Sequence, residues 1–422
     1  MKHYKYKIVA FCAVIIFTVP WLINKYPRSI DFIDSIFSYI DNNYATVFLR
    51  DSVTVNQLKN KYENVSNGKP RIKILLVPGH EPSFGGTEYK NLKERELNTE
   101  LVLSLEDFLK RNGHYEVIVT RNNNSWNKVF QDFFSSNWDS IISFFKENKD
   151  EMSRLVNNGE VSKIVNGISH NSAPQSVALR LYGINKWAND NDIDIVLHIH
   201  FNDYPRNNIK AEGNYSGFSI YVPEKQYSNS TTTRVIADSI FKRLAKYNAI
   251  SDLPKEKAGI TEDQDLIAIG SYNTLDAPSM LIEYGYIYES QFVDKDTRDI
   301  ILKDFAFQTY LGIQDFFGGS NDISLVYDTL VLPYSWKNNL SKNSNYKEDI
   351  LALQTSFIIE GIYSGNGEID NECPRTGKFG KCTASALNKF QQKYGIKGET
   401  GIVGEQTRNI LNNRYSLRLN NL

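Results

Sequence analysis

Apolar runs alternate with amphipathic segments along the central part of the chain, a pattern typical of alternating strands and helices. The predicted strands cover residues 72–77, 116–120, 193–200, 218–222 and 279–284. The predicted helices cover residues 94–111, 179–190, 231–246 and 294–316. This order predicts an α/β fold, in which an open, mostly parallel, twisted sheet carries helices on both faces.

One segment interrupts this alternation. Residues 124–172 form an insertion rich in Phe and Trp, with helical spacing after Asn137. Two interpretations stay open: a helical decoration packed on the domain, or a lid or groove wall over the active site.

The N-terminus predicts the compartment. Three lysines within the first seven residues precede an apolar run over residues 8–23. This order is typical of a signal peptide or a signal-anchor. At 1.5 Å per residue the run is roughly 24 Å long, slightly shorter than a hydrocarbon core of about 30 Å. No small-residue cleavage motif follows, so an uncleaved anchor within residues 1–27 is favoured over a cleaved, secreted form. A buried core helix is the remaining alternative.

Length and pattern together predict several domains, since 422 residues correspond to two or three domains of ordinary size. Both preferred interpretations of the N-terminus place the rest of the chain outside the cytoplasm, in the periplasm or the cell wall. The predicted divisions are a juxtamembrane helix and linker at 28–71, a catalytic domain at 72–317, a linker at 318–346 and a small module at 347–415.

The last segment contains an internal repeat. A glycine, a threonine three positions later and a leucine four positions after that occur twice, at Gly380, Thr383 and Leu387 and at Gly404, Thr407 and Leu411. Each threonine is predicted to cap the N-terminus of a helix. The pattern predicts a module of three helices.

Composition and charge exclude some classes of protein. Hydrophobic residues make up 41% and charged residues 23% of the chain, as in globular proteins. The 48 basic residues are balanced by 49 acidic ones. Because no basic excess exists to neutralise a phosphate backbone, no nucleic-acid partner is expected.

Ionisable residues follow three of the predicted strands. His80 comes just after the first strand, His198 and His200 end the third, and Glu283 ends the fifth. In an open α/β sheet, ligands bind beyond the carboxyl ends of the strands. These residues are therefore predicted to share one functional edge.

A carboxylate on the first long helix completes the set. Glu94 lies on the helical face of Leu97 and Leu101, whereas Glu96 is about 200° away around the helix and should face water. Glu94 is therefore predicted to point toward the sheet.

Two histidines and a carboxylate, with one position left for water, form a catalytic zinc arrangement. His198 and His200 lie on the same face of a strand, with α-carbons about 6.6 Å apart, so spacing alone does not choose between them.

At these points the chain resembles the zinc-dependent N-acetylmuramoyl-L-alanine amidases of bacterial cell walls. The resemblance is carried by Pro78-Gly79-His80, by Arg121 after the second strand, and by the segments 94–98, 198–202 and 282–286, which read ERELN, HIHFN and IEYGY. The first motif departs from the family pattern, because Val77 replaces an aspartate and Glu81-Pro82 replaces a double glycine.

The resemblance implies the roles of these residues. Zn²⁺ would be held by His80, Glu94 and His200, with Glu283 as the catalytic carboxylate. His198 stands where the family has a serine, so it and Asn202 are expected to support the site rather than to bind zinc. The implied substrate is peptidoglycan, cut at the amide between N-acetylmuramic acid and L-alanine.

The C-terminal module resembles a three-helix peptidoglycan-binding domain, interrupted by an insertion at 365–378. This insertion carries Cys373, and Cys382 follows nine positions later. In an oxidising compartment the two are expected to form a disulfide.

Two alternative functions remain at this point. The altered loop after His80 is compatible with a non-catalytic scaffold that only binds peptidoglycan. A zinc peptidase that cuts the stem peptide would use the same ligands.

Overall fold

The computed structural model describes residues 53–417, except residues 69, 165–172, 205, 207, 209, 320–326 and 365–368. The predicted anchor at 8–23 lies outside these ranges. Among the described residues, no helix combines the length and the apolar character needed to cross a bilayer.

Eight strands are described: β1 Ile72–Pro78, β2 Glu88–Tyr89, β3 Leu92–Lys93, β4 Tyr115–Val119, β5 Ile195–Asn202, β6 Ser219–Pro223, β7 Ile260–Asp263 and β8 Ser279–Tyr286. The described helices of the part up to residue 319 are α1 Val55–Glu63, α2 Glu94–Arg111, α3 Lys128–Ser136, α4 Trp138–Asn157, α5 Gln175–Asp190, α6 Ser230–Tyr247, α7 Ser290–Val293 and α8 Lys295–Phe317. The C-terminal helices are α9 Lys347–Ile359, α10 Lys381–Lys393 and α11 Glu405–Tyr415.

Six strands form one sheet in the order β4-β1-β5-β8-β6-β7, and β2 and β3 form a separate hairpin. Strands β4, β1, β5 and β8 run parallel, whereas β6 is antiparallel to β8. The mostly parallel α/β sheet predicted from the sequence is therefore confirmed. The carboxyl ends of β1, β5 and β8, three adjacent strands, meet at one edge.

Apolar residues cover both faces of this sheet, as the uninterrupted strand patterns require. On β1, Ile74 and Leu76 pack into the core formed with α2, α6 and α8, whereas Leu75 and Val77 pack on the opposite face. That opposite core also receives Phe130, Phe134 and Ile141 from α3 and α4, and Tyr182 and Trp187 from α5. The first two helices of the insertion are thus packed against the domain.

The repeated threonines of the C-terminal module do not cap their helices. Gly380 and Gly404 occupy the N-cap positions, and both threonines lie buried inside the first turn. Thr383 accepts a hydrogen bond from the Gln354 side chain at 3.0 Å, and Thr407 accepts one from Gln391 at 3.1 Å. The prediction of threonine caps was wrong because a buried glutamine from the preceding helix takes the hydroxyl as its partner.

The C-terminal module shares its hydrophobic core with the sheet domain. Leu351 and Phe390 belong to the same cluster of buried residues as Phe305 on α8. Trp336, from the segment between α8 and α9, is buried in this cluster, and its indole nitrogen donates to the Asp349 carbonyl at 2.8 Å. Cys373 and Cys382 are joined by a disulfide in the same module.

Candidate metal centre

Four predicted residues lie at the carboxyl edge of β1, β5 and β8. His80 lies two positions beyond the end of β1, and Glu94 is the first residue of α2. His200 on β5 is in register with Glu283 on the neighbouring strand β8. Residues far apart in sequence are therefore brought together by strand order.

Three of these side chains converge on one point. Oε1 of Glu94 lies 2.7 Å from Nε2 of His80 and 3.0 Å from Nδ1 of His200. One donor atom from each residue lies within 4.8 Å of the other two. Two imidazoles and a carboxylate at such separations can coordinate one divalent ion.

Glycine makes this convergence sterically possible. A β-carbon added at Gly79 would lie 2.2 Å from Cε1 of His200, so no larger residue fits beside the imidazole. Gly86 has φ near +77°, and a β-carbon there would lie 2.9 Å from Cδ2 of His80. These two positions need glycine for close approach, and Gly86 also needs it for its backbone conformation.

The carboxylate of Glu94 is held by backbone amides as well as by the histidines. Thr87 N–H donates to Oε2 at 3.0 Å, and Phe201 N–H donates to Oε1 at 3.3 Å. Burial acts to raise the pKa of Glu94, but His80 and His200 lower it more, so that the pKa lies well below its ordinary value. Glu94 is therefore ionised, as a metal ligand must be.

Glu283 has a different environment, although its strand neighbour is His200. Glu283 is half-buried, but its Oε2 atom is fully buried and has no hydrogen-bond partner among the described residues. Burial, followed by the negative charges of Glu94 and Glu256, raises the pKa of Glu283 well above its ordinary value. A buried carboxyl group with a raised pKa can act as a general acid or base.

His198 and Asn202, the predicted supporting residues, lie outside the three-residue cluster. His198 is buried on β5, and burial, together with the nearby His200, lowers its pKa to about 3, so it is neutral. Asn202 donates to Oε1 of Glu256 at 3.0 Å rather than to a residue of the cluster.

Glu256 is a buried residue near the site that sequence reasoning missed. Besides Asn202, its carboxylate accepts hydrogen bonds from Tyr221, Ser251 and Tyr286. It lies in an irregular segment between α6 and β7, where neither strand nor helix periodicity distinguishes a buried acid from an exposed one. No signal in the single sequence could have found it.

Comparison with known families agrees with this geometry. Residues 74–315 match the family described as N-acetylmuramoyl-L-alanine amidase, and residues 346–411 match a family described as peptidoglycan binding domain. The first match spans more than half of the chain, and the protein belongs to the N-acetylmuramoyl-L-alanine amidase family. It is a cell-wall hydrolase that acts on peptidoglycan and therefore works outside the cytoplasm.

Solved structures of distant amidases also match. The CwlD amidase from Clostridioides difficile, solved with the GerS lipoprotein, is 17% identical, with 59% of this chain and 99% of that chain covered and a TM-score of 0.38. The amidase Ami1 from Mycobacterium smegmatis is 15% identical, with the same coverage and TM-score. No curated protein gives a significant match. The family assignment rests on the family match alone.

Proposed function

We propose that His80, Glu94 and His200 hold a zinc ion and that Glu283 transfers the proton during amide hydrolysis. The observation that carries this proposal is the convergence of one donor atom from each of the three residues within 4.8 Å. The donor set fits zinc, because two imidazoles and one ionised carboxylate match a catalytic site that keeps a position open for water.

Zinc in such a site would supply Lewis-acid activation of the scissile carbonyl and of a water molecule. The protein supplies the proton transfer. Glu283 accepts a proton from the attacking water as the oxygen bonds to the carbonyl carbon of the lactyl group. It then donates that proton to the nitrogen of L-alanine as the carbon–nitrogen bond breaks, which regenerates the carboxylate. The raised pKa of Glu283 suits a group that must hold the proton between these two steps.

Neutral His198 has no role in proton transfer in this scheme, and it lies buried on β5, two positions before His200. Asn202 is tied to Glu256, whose negative charge contributes to the raised pKa of Glu283. Both residues therefore support the site without binding the ion.

Metal removal and product identification test the proposal together. A chelator should abolish the release of stem peptides from purified sacculi, and zinc should restore it. Mass spectrometry should find intact stem peptides that begin with L-alanine and glycan strands with free lactyl groups. Cut stem peptides would instead indicate a peptidase. Metal-free protein that digests sacculi at the full rate would refute the zinc centre.

We further propose that the apolar run at 8–23 anchors the enzyme to the outer face of the cytoplasmic membrane. The three lysines before it and the absence of a cleavage motif support an uncleaved anchor. Intact mass spectrometry of the protein from washed membranes should then give the full-length chain. A shorter, soluble chain would contradict the anchor and indicate secretion.

A further inference from the structure

The residue that follows His80 is a buried acid with two partners. Glu81 is only 5% exposed, although it belongs to a loop. Its Oε1 accepts from Nε of Arg180 at 2.7 Å, and its Oε2 accepts from the indole nitrogen of Trp126 at 3.2 Å. Since a buried carboxylate is costly without such partners, these contacts fix the position of the loop.

One partner lies at the start of the helical insertion, and the other lies on the helix that follows it. Trp126 precedes α3 and pairs through its backbone with Arg121, whereas Arg180 lies on α5, after the insertion. Glu81 thus joins the loop of His80 to the start of the insertion and to α5 after it. Its attachment depends on side chains that do not themselves reach the metal centre.

Arg121 holds the same loop through its carbonyl groups. Its guanidinium donates from Nε to the carbonyls of Pro78 at 3.1 Å and His80 at 2.8 Å, and from Nη2 to that of Gly79. Arg121 is 2% exposed, and burial lowers its pKa to about 10, while the negative charges of Glu81 and Glu94 limit this fall. The loop is therefore held both at its backbone and at its one buried acid.

His80 needs this support because its backbone is strained. Its φ is +69°, in the left-handed region that residues other than glycine rarely adopt. Such a conformation persists only where the surroundings enforce it. A loop released from its partners would relax toward ordinary backbone angles and turn the imidazole away from Glu94 and His200.

We propose that Glu81 is a positioning residue of the metal centre, which holds His80 in its left-handed conformation through the ion pair with Arg180 and the hydrogen bond from Trp126. This inference rests on the proposed zinc site. It gives the departure from the double-glycine pattern a function: an ion pair with α5 and a hydrogen bond from the insertion replace backbone freedom in the loop that carries the first ligand.

The test measures zinc affinity in Glu81→Gln and Arg180→Gln, separately and combined. Competition with a chromophoric chelator should show a loss of about 10- to 100-fold in each single variant, as for other residues that orient metal ligands. The double variant should lose little more than either single one, because both remove the same ion pair. The cobalt-substituted variants should have altered visible absorption bands, since the coordination geometry changes.

Arg243→Gln is the matched control. Arg243 and Arg180 are equally exposed, at 22% of the side chain, and each pairs with a carboxylate, but Arg243 binds Asp315 and Asp328 away from the site. This variant should keep wild-type zinc affinity and an unchanged cobalt spectrum.

The outcomes separate the two proposals. If the variants bind zinc and cobalt like the wild type and only their melting temperature falls, Glu81 has a merely structural role and the inference is wrong. Arg180→Gln alone can decide this if Glu81→Gln does not fold, because Arg180 is partly exposed. If the wild-type protein binds no stoichiometric zinc, the proposed zinc site itself is wrong, independently of the role of Glu81.

Discussion

Glu283→Gln should abolish hydrolysis while leaving zinc bound. The variant loses the group that transfers the proton, and positioned acid–base groups contribute roughly 10²- to 10⁴-fold to rate. Zinc should remain, because Glu283 does not belong to the convergent set of His80, Glu94 and His200. Release of labelled fragments from purified sacculi measures the rate, and elemental analysis measures the metal.

His80→Ala provides the comparison for this loss. It removes a ligand, so both zinc and hydrolysis should disappear, whereas Glu283→Gln separates the two. A Glu283→Gln enzyme that digests sacculi at the wild-type rate would show that another group transfers the proton. A variant that loses zinc as well would instead place Glu283 among the ligands.

The same substitution should stabilise the metal-free protein at neutral pH. The folded-state pKa of Glu283 is raised above the ordinary value of 4.5 by burial and by two neighbouring acids. The stability linked to its neutral form is therefore present below pH 4.5 and is lost as the pH rises through the folded-state pKa. Glutamine stays neutral. Denaturant titrations with chelator present should show a more stable variant at pH 8 and no difference near pH 4.

Much of the site could be predicted from sequence because its residues follow simple geometric rules. His80, His200 and Glu283 stand at or near strand ends, and parallel strands bring such positions to one edge. Glu94 was assigned by its helical face, and the structure places that side chain inward. The two-residue periodicity of a strand could not decide whether His198 or His200 is the ligand, since both point to one side of β5. Only the family resemblance selected His200.

The sequence did not predict some of the short strands or the contacts between distant segments. Strand β7 was missed, because ITED has too short an alternation to stand out. The ties of Glu81 to Arg180 and Trp126 span 99 and 45 positions, and no local pattern encodes such pairs. The sequence also did not predict that the C-terminal module shares a core with the sheet domain, because this depends on which apolar faces of the two parts pack together.

One buried ion pair shows how closely the C-terminal module is joined to the sheet domain. Asp304, in the middle of α8, is fully buried, and its Oδ2 accepts from Nη2 of Arg375 at 2.6 Å. Arg375 lies in the segment closed by the disulfide, and its guanidinium also lies 5.4 Å from the ring centroid of Tyr247 on α6. Deleting residues 346–422 would therefore expose core residues of the sheet domain and leave the buried Asp304 carboxylate without its partner. A point substitution is the cleaner experiment.

Arg375→Met should destabilise the whole chain by about 3–5 kcal/mol, because it leaves the buried carboxylate of Asp304 without its cation. Equilibrium denaturation with the disulfide intact measures this loss. Lys295→Met, on the same helix as Asp304, is the matched control: it removes an exposed ion pair with Asp299 and should leave the free energy of unfolding almost unchanged.

Asp304→Asn combined with Arg375→Met should recover part of the stability lost in the single variant. The substitution removes the unpaired charge, while Oδ1 can still accept from the Thr329 hydroxyl at 2.9 Å and from the Leu330 amide at 3.0 Å. A single Arg375→Met variant as stable as the Lys295→Met control would mean that the module is docked without this ion pair. If the expected result is found, the wall-binding module folds together with the amidase domain. A partner that displaced the module would then also loosen α8 and the core beneath the catalytic edge.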